Sequence, residues 1–255
     1  LNQAGILPKR RARITPLSDR DGAVPRICAL LVFLCCWWFQ AGAAFAAAHL
    51  APGVDSLALD GKVFVLEDTT GALSFADVKR RGADFRPSPA QGEAAINFGY
   101  SSSVWWLRLD IEPAPAVSHD WLLEVAFPTL DSVEYFGPGG EHLSTGDRLP
   151  FAARPLVHRN FVFPVHLGET GVSTVWLRVA SEGTLTIPLH LWQADAFWQK
   201  SQAGYSMLSV YFGMLLALAL YNLLLWISLR DHNYLTYVLF AASMAVGQLS
   251  LNGLG

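Results

Sequence analysis

Cysteine is absent from everything after Cys36, and the three that exist (Cys28, Cys35, Cys36) share one short apolar run near the start of the 255-residue chain. That absence excludes a disulfide framework and thiol chemistry from the remainder. Basic surface is also scarce. Up to Arg26 six Lys and Arg stand against two Asp, but beyond it 19 acidic residues outnumber 12 basic ones. The one later basic cluster, Lys79-Arg80-Arg81, is too small to track a phosphate backbone, which excludes nucleic acid as a partner. The seven histidines show no H-x-H or H-E-x-x-H spacing, so no metal site is expected. Catalytic patterns are poor as well. Gly99-Tyr100-Ser101-Ser102-Ser103 lacks the second glycine of a nucleophile elbow, and Asp110 with Glu112 reads as a solvated strand edge running into Pro113. No catalytic residue and no cofactor is assigned, and the segment is read as non-enzymatic.

What is present is unevenly distributed. A basic stretch to Arg26, a 13-residue apolar run from Ile27 to Phe39 and a small-residue string containing Ala44-Phe45-Ala46 form the pattern of a secretory signal. The run falls short of the about 20 residues that a spanning helix wants, with an uncleaved signal anchor as the alternative reading. The expected division is 1–46 for the basic N-terminus and signal, 47–199 for an exported domain, and 200–255 for membrane helices. From Tyr205 to Leu229 there is no charge and a single amide, Asn222. This block is long enough to cross a bilayer with some tilt. Arg230-Asp231-His232-Asn233 makes a polar turn, and a second apolar block, Tyr234 to Gly255, follows. Export of the middle domain makes the first helix run inward and leaves Arg230 on the cytoplasmic side.

Between signal and helices the chain is cut by Gly, Pro, Asn and Asp at the spacing of an all-β sandwich. Lys62 to Glu67 is a candidate strand, Ser74 to Arg81 a helical turn with Ser74 as N-cap and Asp77 as its capping-box partner, and Phe85 to Gln91 an extended stretch. In Val104 to Ile111, Trp105, Leu107, Leu109 and Ile111 alternate with Trp106, Arg108 and Asp110, the period of a half-buried strand. Trp121, Leu123, Val125 and Phe127 repeat it, as do segments around Val133, Phe161, Val175 and Leu185. About seven strands without a long helix point to two packed antiparallel sheets.

One motif is doubled: Trp106-Leu107-Arg108 and Trp176-Leu177-Arg178. In each, Leu joins the apolar face while Trp and Arg share the other. This predicts an exposed aromatic and guanidinium platform, suited to a sugar or another planar polar ligand with a carboxylate. The structural alternative has each Arg stack on a Trp or pair with Glu124 or Glu134. Glu124, His190 and Trp192 fall on the same kind of face by parity and join the ligand-binding candidates, with the loop residues Arg154, His158 and Arg159 as a second locus. In the first membrane block Gly213 and Ala217 form a small-xxx-small step, and Asn222 is read as an interhelical hydrogen bonder in a multi-helix bundle.

Asn97-Phe98-Gly99-Tyr100-Ser101-Ser102-Ser103-Val104-Trp105-Trp106-Leu107-Arg108, then Gly146-Asp147-Arg148-Leu149-Pro150-Phe151 with Arg154-Pro155 and His158-Arg159, and later Val175-Trp176-Leu177-Arg178, resemble the type-2 extracellular domain of the seven-transmembrane receptors with diverse intracellular signalling modules. Tyr211-Phe212-Gly213-Met214, Leu220-Tyr221-Asn222-Leu223 and Arg230-Asp231-His232-Asn233-Tyr234-Leu235-Thr236-Tyr237 look like the opening of the family's membrane region. The resemblance implies a jelly-roll-like β-sandwich similar to carbohydrate-binding modules, followed by transmembrane α-helices. It places that sandwich in the periplasm of the bacterial inner membrane, relaying ligand state to a cytoplasmic diguanylate cyclase, histidine kinase or phosphatase. This sequence departs from the pattern in starting at Leu1 and in stopping after two helices, short of the output module. Expected partners are a small-molecule or glycan ligand, the lipid bilayer, the remaining helices with their signalling module, and a second copy of the chain in a homodimer. The rival readings are a membrane-tethered exported carbohydrate-binding or carbohydrate-active protein, and a transporter with a periplasmic accessory domain.

Overall fold

The computed structural model describes residues 47–90, 94–115 and 117–254. The signal-like segment and all three cysteines lie outside them. Thirteen strands are described: β1 Ala48–Leu50, β2 Ser56–Ala58, β3 Val63–Asp68, β4 Arg86–Pro87, β5 Ile96–Tyr100, β6 Val104–Pro113, β7 Asp120–Val125, β8 Ser132–Phe136, β9 His142–Thr145, β10 Phe161–His166, β11 Ser173–Ala180, β12 Thr184–Ile187 and β13 Leu189–Trp192. The helices are α1 Phe75–Arg80, α2 Ala194–Leu229 and α3 His232–Leu251.

The alternation read in the sequence becomes a two-sheet sandwich. The larger sheet runs β4-β3-β6-β11-β8-β9 and the smaller β10-β7-β13-β2, with β5 and β12 as a separate ribbon. Pairing is antiparallel except for β1, which joins β6 in parallel. Leu107, Leu109 and Ile111 from one sheet meet Trp121, Leu123, Val125, Phe161 and Phe163 from the other, all at 1% exposure or less. Tyr135 and Phe163 stack across this layer with centroids 5.0 Å apart.

Neither outer face is open. Above the larger sheet, the capping box of α1 forms as read: Asp77 N donates to Ser74 Oγ at 3.3 Å and Ser74 N to Asp77 Oδ2 at 3.1 Å. The turn leading into α1 is fixed by buried Asp68, whose carboxylate accepts the backbone N–H groups of Thr70, Gly71 and Leu73. Burial works to raise the Asp68 pKa, but these bonds outweigh it and hold the carboxyl below its usual range. The helix lays Phe75 over the sheet, stacked on Phe136 at 4.2 Å. The outer face of the smaller sheet is covered by the first turns of α2, where Phe197 packs with Leu122 and Val162.

The first long helix begins at Ala194, only Gln193 separating it from β13, so it already overlaps the segment assigned to the exported domain. Both long helices are long and apolar enough to cross a membrane. Arg230, in the left-handed conformation (φ 57°), ends α2 by donating its N–H to Trp226 O at 2.8 Å, and Asp231 caps α3 by accepting from Asn233 N at 3.0 Å. Asn222 is buried, but its amide donates to Leu218 O of its own helix at 2.9 Å. Gly213 has open space where a Cβ would stand, so α3 does not approach at that step.

Candidate functional site

The doubled Trp-Leu-Arg motif lies in register. Strands β6 and β11 run antiparallel with Trp176 opposite Arg108 and Arg178 opposite Trp106, so each tryptophan faces the other motif's arginine. Arg108 lies 5.4 Å from the Trp176 ring and Arg178 6.0 Å from that of Trp106. Parity places all four on one face, as read, but the face is not exposed. Trp106 is 1% and Trp176 7% accessible, roofed by Phe75, Phe85 and Phe136. Arg108 holds Asp110 through two bonds of 3.1 and 2.9 Å, and Arg178 holds Glu134 at 2.6 Å while also reaching Gly71 O at 3.3 Å. The expected platform is therefore corrected to a structural brace: aromatic cover excludes a ligand from the ring faces, and the guanidinium groups are engaged. Asp110, read as solvated, is buried inside that brace and also accepts from Thr174 Oγ1 at 2.7 Å.

The other candidates converge elsewhere. Glu124, in the middle of β7, points outward beneath α2 and is 1% exposed. Its Oε1 accepts from Asn160 Nδ2 at 2.7 Å; its Oε2 accepts from Trp192 Nε1 at 2.9 Å and Lys200 Nζ at 2.6 Å. Burial alone would push its pKa up, but the bonds from Lys200 and Asn160 outweigh this and keep it below the usual carboxylate range. His158, 2% exposed, accepts Asn160 N–H at Nδ1 (3.1 Å), which leaves Nε2 to donate to Ser201 Oγ at 3.2 Å. Burial lowers its pKa, in keeping with a neutral ring. Arg154 donates to the carbonyls of His158 and Arg159. The Arg159 backbone N–H reaches Tyr205 Oη at 3.1 Å and its Nη1 meets Asn252 Oδ1 at 3.4 Å. His190 stands opposite Glu124 on β13 and stacks against Trp192 at 5.9 Å.

Six sequence candidates (Glu124, His190, Trp192, Arg154, His158, Arg159) thus come together, while the four residues of the doubled motif sit on the opposite sheet. Sequence reasoning missed Lys200, Asn160, Ser201 and Tyr205. One signal was available: Leu122 and Val162 are apolar at outward parity, so this sheet had to be covered. The centre joins sandwich to helix by charge, hydrogen bonds and apolar packing; its one hydroxyl beside a histidine, Ser201, is buried and faces the protonated Nε2 of His158, which donates rather than accepts.

Room for a small ligand exists on the sandwich. A cleft of about 690 Å³, within the range of small-molecule sites, is lined by Phe98 and Trp105 with Glu67, Asp84 and Arg86 at its polar margin. Trp105 is half-buried, stacked on Phe98 at 3.6 Å, with its indole N–H bonded to Ser101 Oγ at 3.2 Å.

Comparison with known proteins gives matches to two family models. Residues 60–193 match the 7TMR-DISM extracellular 2 model and residues 204–255 match the 7TM diverse intracellular signalling model. No curated protein matches the chain. The first match covers the sandwich from β3 to β13 and the second the long helices from the third turn of α2 onward, in the order expected of a membrane receptor. The chain belongs to the family of seven-transmembrane receptors with diverse intracellular signalling modules.

Proposed function

We propose that this segment is the non-enzymatic extracytoplasmic sensor of a bacterial inner-membrane receptor. The signal-like N-terminus exports the sandwich to the periplasm, a small-molecule or glycan ligand docks on it, and the long helices relay its state to an output module in the cytoplasm. The observation that carries this reading is the direct coupling of β13 to α2. One residue separates them, and the Glu124–Lys200 bond with the Arg159–Tyr205 bond holds the helix to the sheet and its adjoining loop. The Phe98–Trp105 cleft supplies the ligand seat, with ring faces for stacking and Arg86 for a carboxylate.

Cysteine labelling tests the arrangement. In intact spheroplasts a membrane-impermeant maleimide labels Val172→Cys, on the sandwich, and reaches His232→Cys, at the start of α3, only after permeabilisation; the reverse pattern sinks the reading. A panel of cell-wall saccharides and small carboxylates, followed by tryptophan fluorescence of the reconstituted chain, tests the ligand. Quenching abolished by Trp105→Ala supports the cleft, whereas turnover of a glycan supports the rival of an exported carbohydrate-active protein.

A further inference from the structure

The end of the sandwich from which the helices emerge carries exposed apolar side chains. Its loop between β9 and β10 exposes Leu149 (41%), Phe151 (44%) and Val157 (82%). Contacts along α2 fix where this loop stands. The helix passes Leu122 and Val162 with Phe197, Glu124 with Lys200, His158 with Ser201 and Arg159 with Tyr205, in that order. It leaves the sandwich at Tyr205, where its uncharged 25-residue stretch begins. The second helix returns to the same place. Asn252 meets Arg159, and buried Gly253 (φ +69°) fits against Pro128 and the Arg159 carbonyl so closely that a Cβ would lie 2.5 Å from Pro128 Cβ. Both apolar stretches therefore begin or end at the level of this loop.

The loop from Gly146 to Asn160 carries Arg148, Arg154 and Arg159 against the single acid Asp147, with Arg148 held by Asp131 and Glu182. Exposed apolar side chains beside arginines at the end of a spanning segment match the composition of an interfacial membrane contact. We propose that Leu149, Phe151 and Val157 insert into the headgroup region of the bilayer that the helices cross, seating the sandwich on the membrane surface. The occupant is lipid because the patch continues from the point where both apolar helices meet the sandwich, and its charge complements anionic headgroups. Such a foot restrains the sandwich from tilting about the helix exit, so ligand-driven movement is directed into α2.

The inference rests on the helices crossing a bilayer, and the test separates the two. Full-length chain with Cys28, Cys35 and Cys36 replaced by Ser is reconstituted into vesicles of phosphatidylethanolamine and phosphatidylglycerol. An environment-sensitive fluorophore is attached at Val157→Cys, at Val172→Cys on the turn at the far end of β10, or at Leu216→Cys within α2. Val172 is as apolar and is 54% exposed, yet it stands a strand length further from the helix exit. The Val157 probe is expected to show blue-shifted emission, quenching by headgroup-labelled nitroxide lipid and protection from iodide; the Val172 probe should show the opposite. Iodide access at Val157, or protection from both quenchers as under a protein neighbour, overturns the proposal. Lipid quenching at Leu216 with iodide access at Val157 rejects the foot alone, and iodide access at Leu216 rejects the membrane reading itself.

Discussion

Replacing Lys200 by Ala probes the junction most directly. Glu124 is 1% exposed, whereas the Lys200 side chain is 41% exposed, so the mutation strands a buried carboxylate while losing a cation that is partly in water. Removing one partner of a fully buried pair costs about 3–5 kcal/mol. Here Asn160 and Trp192 still bond the carboxylate, and the 2.6 Å bond from Lys200 is one charge-assisted hydrogen bond. The expected loss is therefore about 2–3 kcal/mol at neutral pH. Read by thermal unfolding of the detergent-solubilised chain, this is a fall in Tm of roughly 4–12 °C at about 2–4 °C per kcal/mol. The pH dependence makes the test specific. In the parent protein Glu124 has a depressed folded pKa, so its contribution is present above the unfolded carboxylate value and is lost as pH falls through the folded one. Without Lys200, burial dominates and the folded pKa rises above the unfolded value. The mutant is then least penalised in acid and loses stability as pH climbs through that raised value. The gap between parent and mutant should open from about pH 4 upward and level off near neutrality. A gap that is independent of pH, or smaller than 0.5 kcal/mol at about a third of the residual worth of a single charged bond, would refute the account.

Trp106→Ala should cost about 3–5 kcal/mol, because the ring is fully covered by Phe75 and Phe136; Trp105→Ala, half-exposed in the cleft, should cost less, and equal melting shifts would contradict the roof over the larger sheet. Arg178→Ala should lower stability by about 1.5–3 kcal/mol through loss of Glu134 and the Trp106 contact, measured as a melting shift; an unchanged melt with lost ligand binding would restore the platform reading. Asp60 is buried with Oδ2 unpartnered and Oδ1 accepting from Leu189 N at 3.0 Å, and burial raises its pKa. A raised acid favours folding below its unfolded pKa and loses that advantage as pH rises through the folded value. Asp60→Asn should therefore melt higher than the parent at neutral pH and alike near pH 3, as a pair of pH-dependent melts will report. Gly253→Ala forces a side chain onto Pro128 and into a left-handed backbone, so it should weaken the seating of α3 and raise hydrogen exchange at Arg159 and Asn160; unchanged exchange would deny that contact.

Strand periodicity and the apolar blocks made the architecture legible, because each signal is local: period two for half-buried strands, 25 uncharged residues for a span. The short helix was legible for the same reason, through Ser74 and Asp77. The burial of Trp106 was not. Parity puts it opposite Leu107, but only the tertiary placement of Phe75, thirty-one residues earlier in sequence, shows that this second face is covered. Of the two readings of the doubled Trp-Leu-Arg motif it is the structural alternative that forms, since the antiparallel register sets each Trp beside the other motif's Arg and Glu134 lies within reach of Arg178 on the next strand. The Glu124 centre was half legible. Its members on β7, on β13 and in the loop before β10 stood out as polar residues near apolar elements, whereas Lys200 opens the segment assigned to the membrane helices and was not looked for on the sheet. Only the fold reveals that α2 doubles back along the smaller sheet.

That doubling back explains why a charged pair suits this junction. Apolar contacts such as Phe197 on Leu122 and Val162 are non-directional and tolerate small slides of a helix over a sheet. The bond between Lys200 and Glu124 does not, because each residue of slippage along a helix displaces a side chain by about 1.5 Å and turns it by about 100°. The pair therefore fixes both the height and the rotation of α2, and the neutral His158–Ser201 bond one residue on repeats the constraint. The roughly 2–3 kcal/mol held in the contact falls within the 1–3 kcal/mol typical of coupling between sites. A ligand whose affinity differs about a hundredfold between two placements of the smaller sheet supplies that much. Under the proposed relay, a junction of this strength would hold one state without ligand and yield to an ordinary binding event.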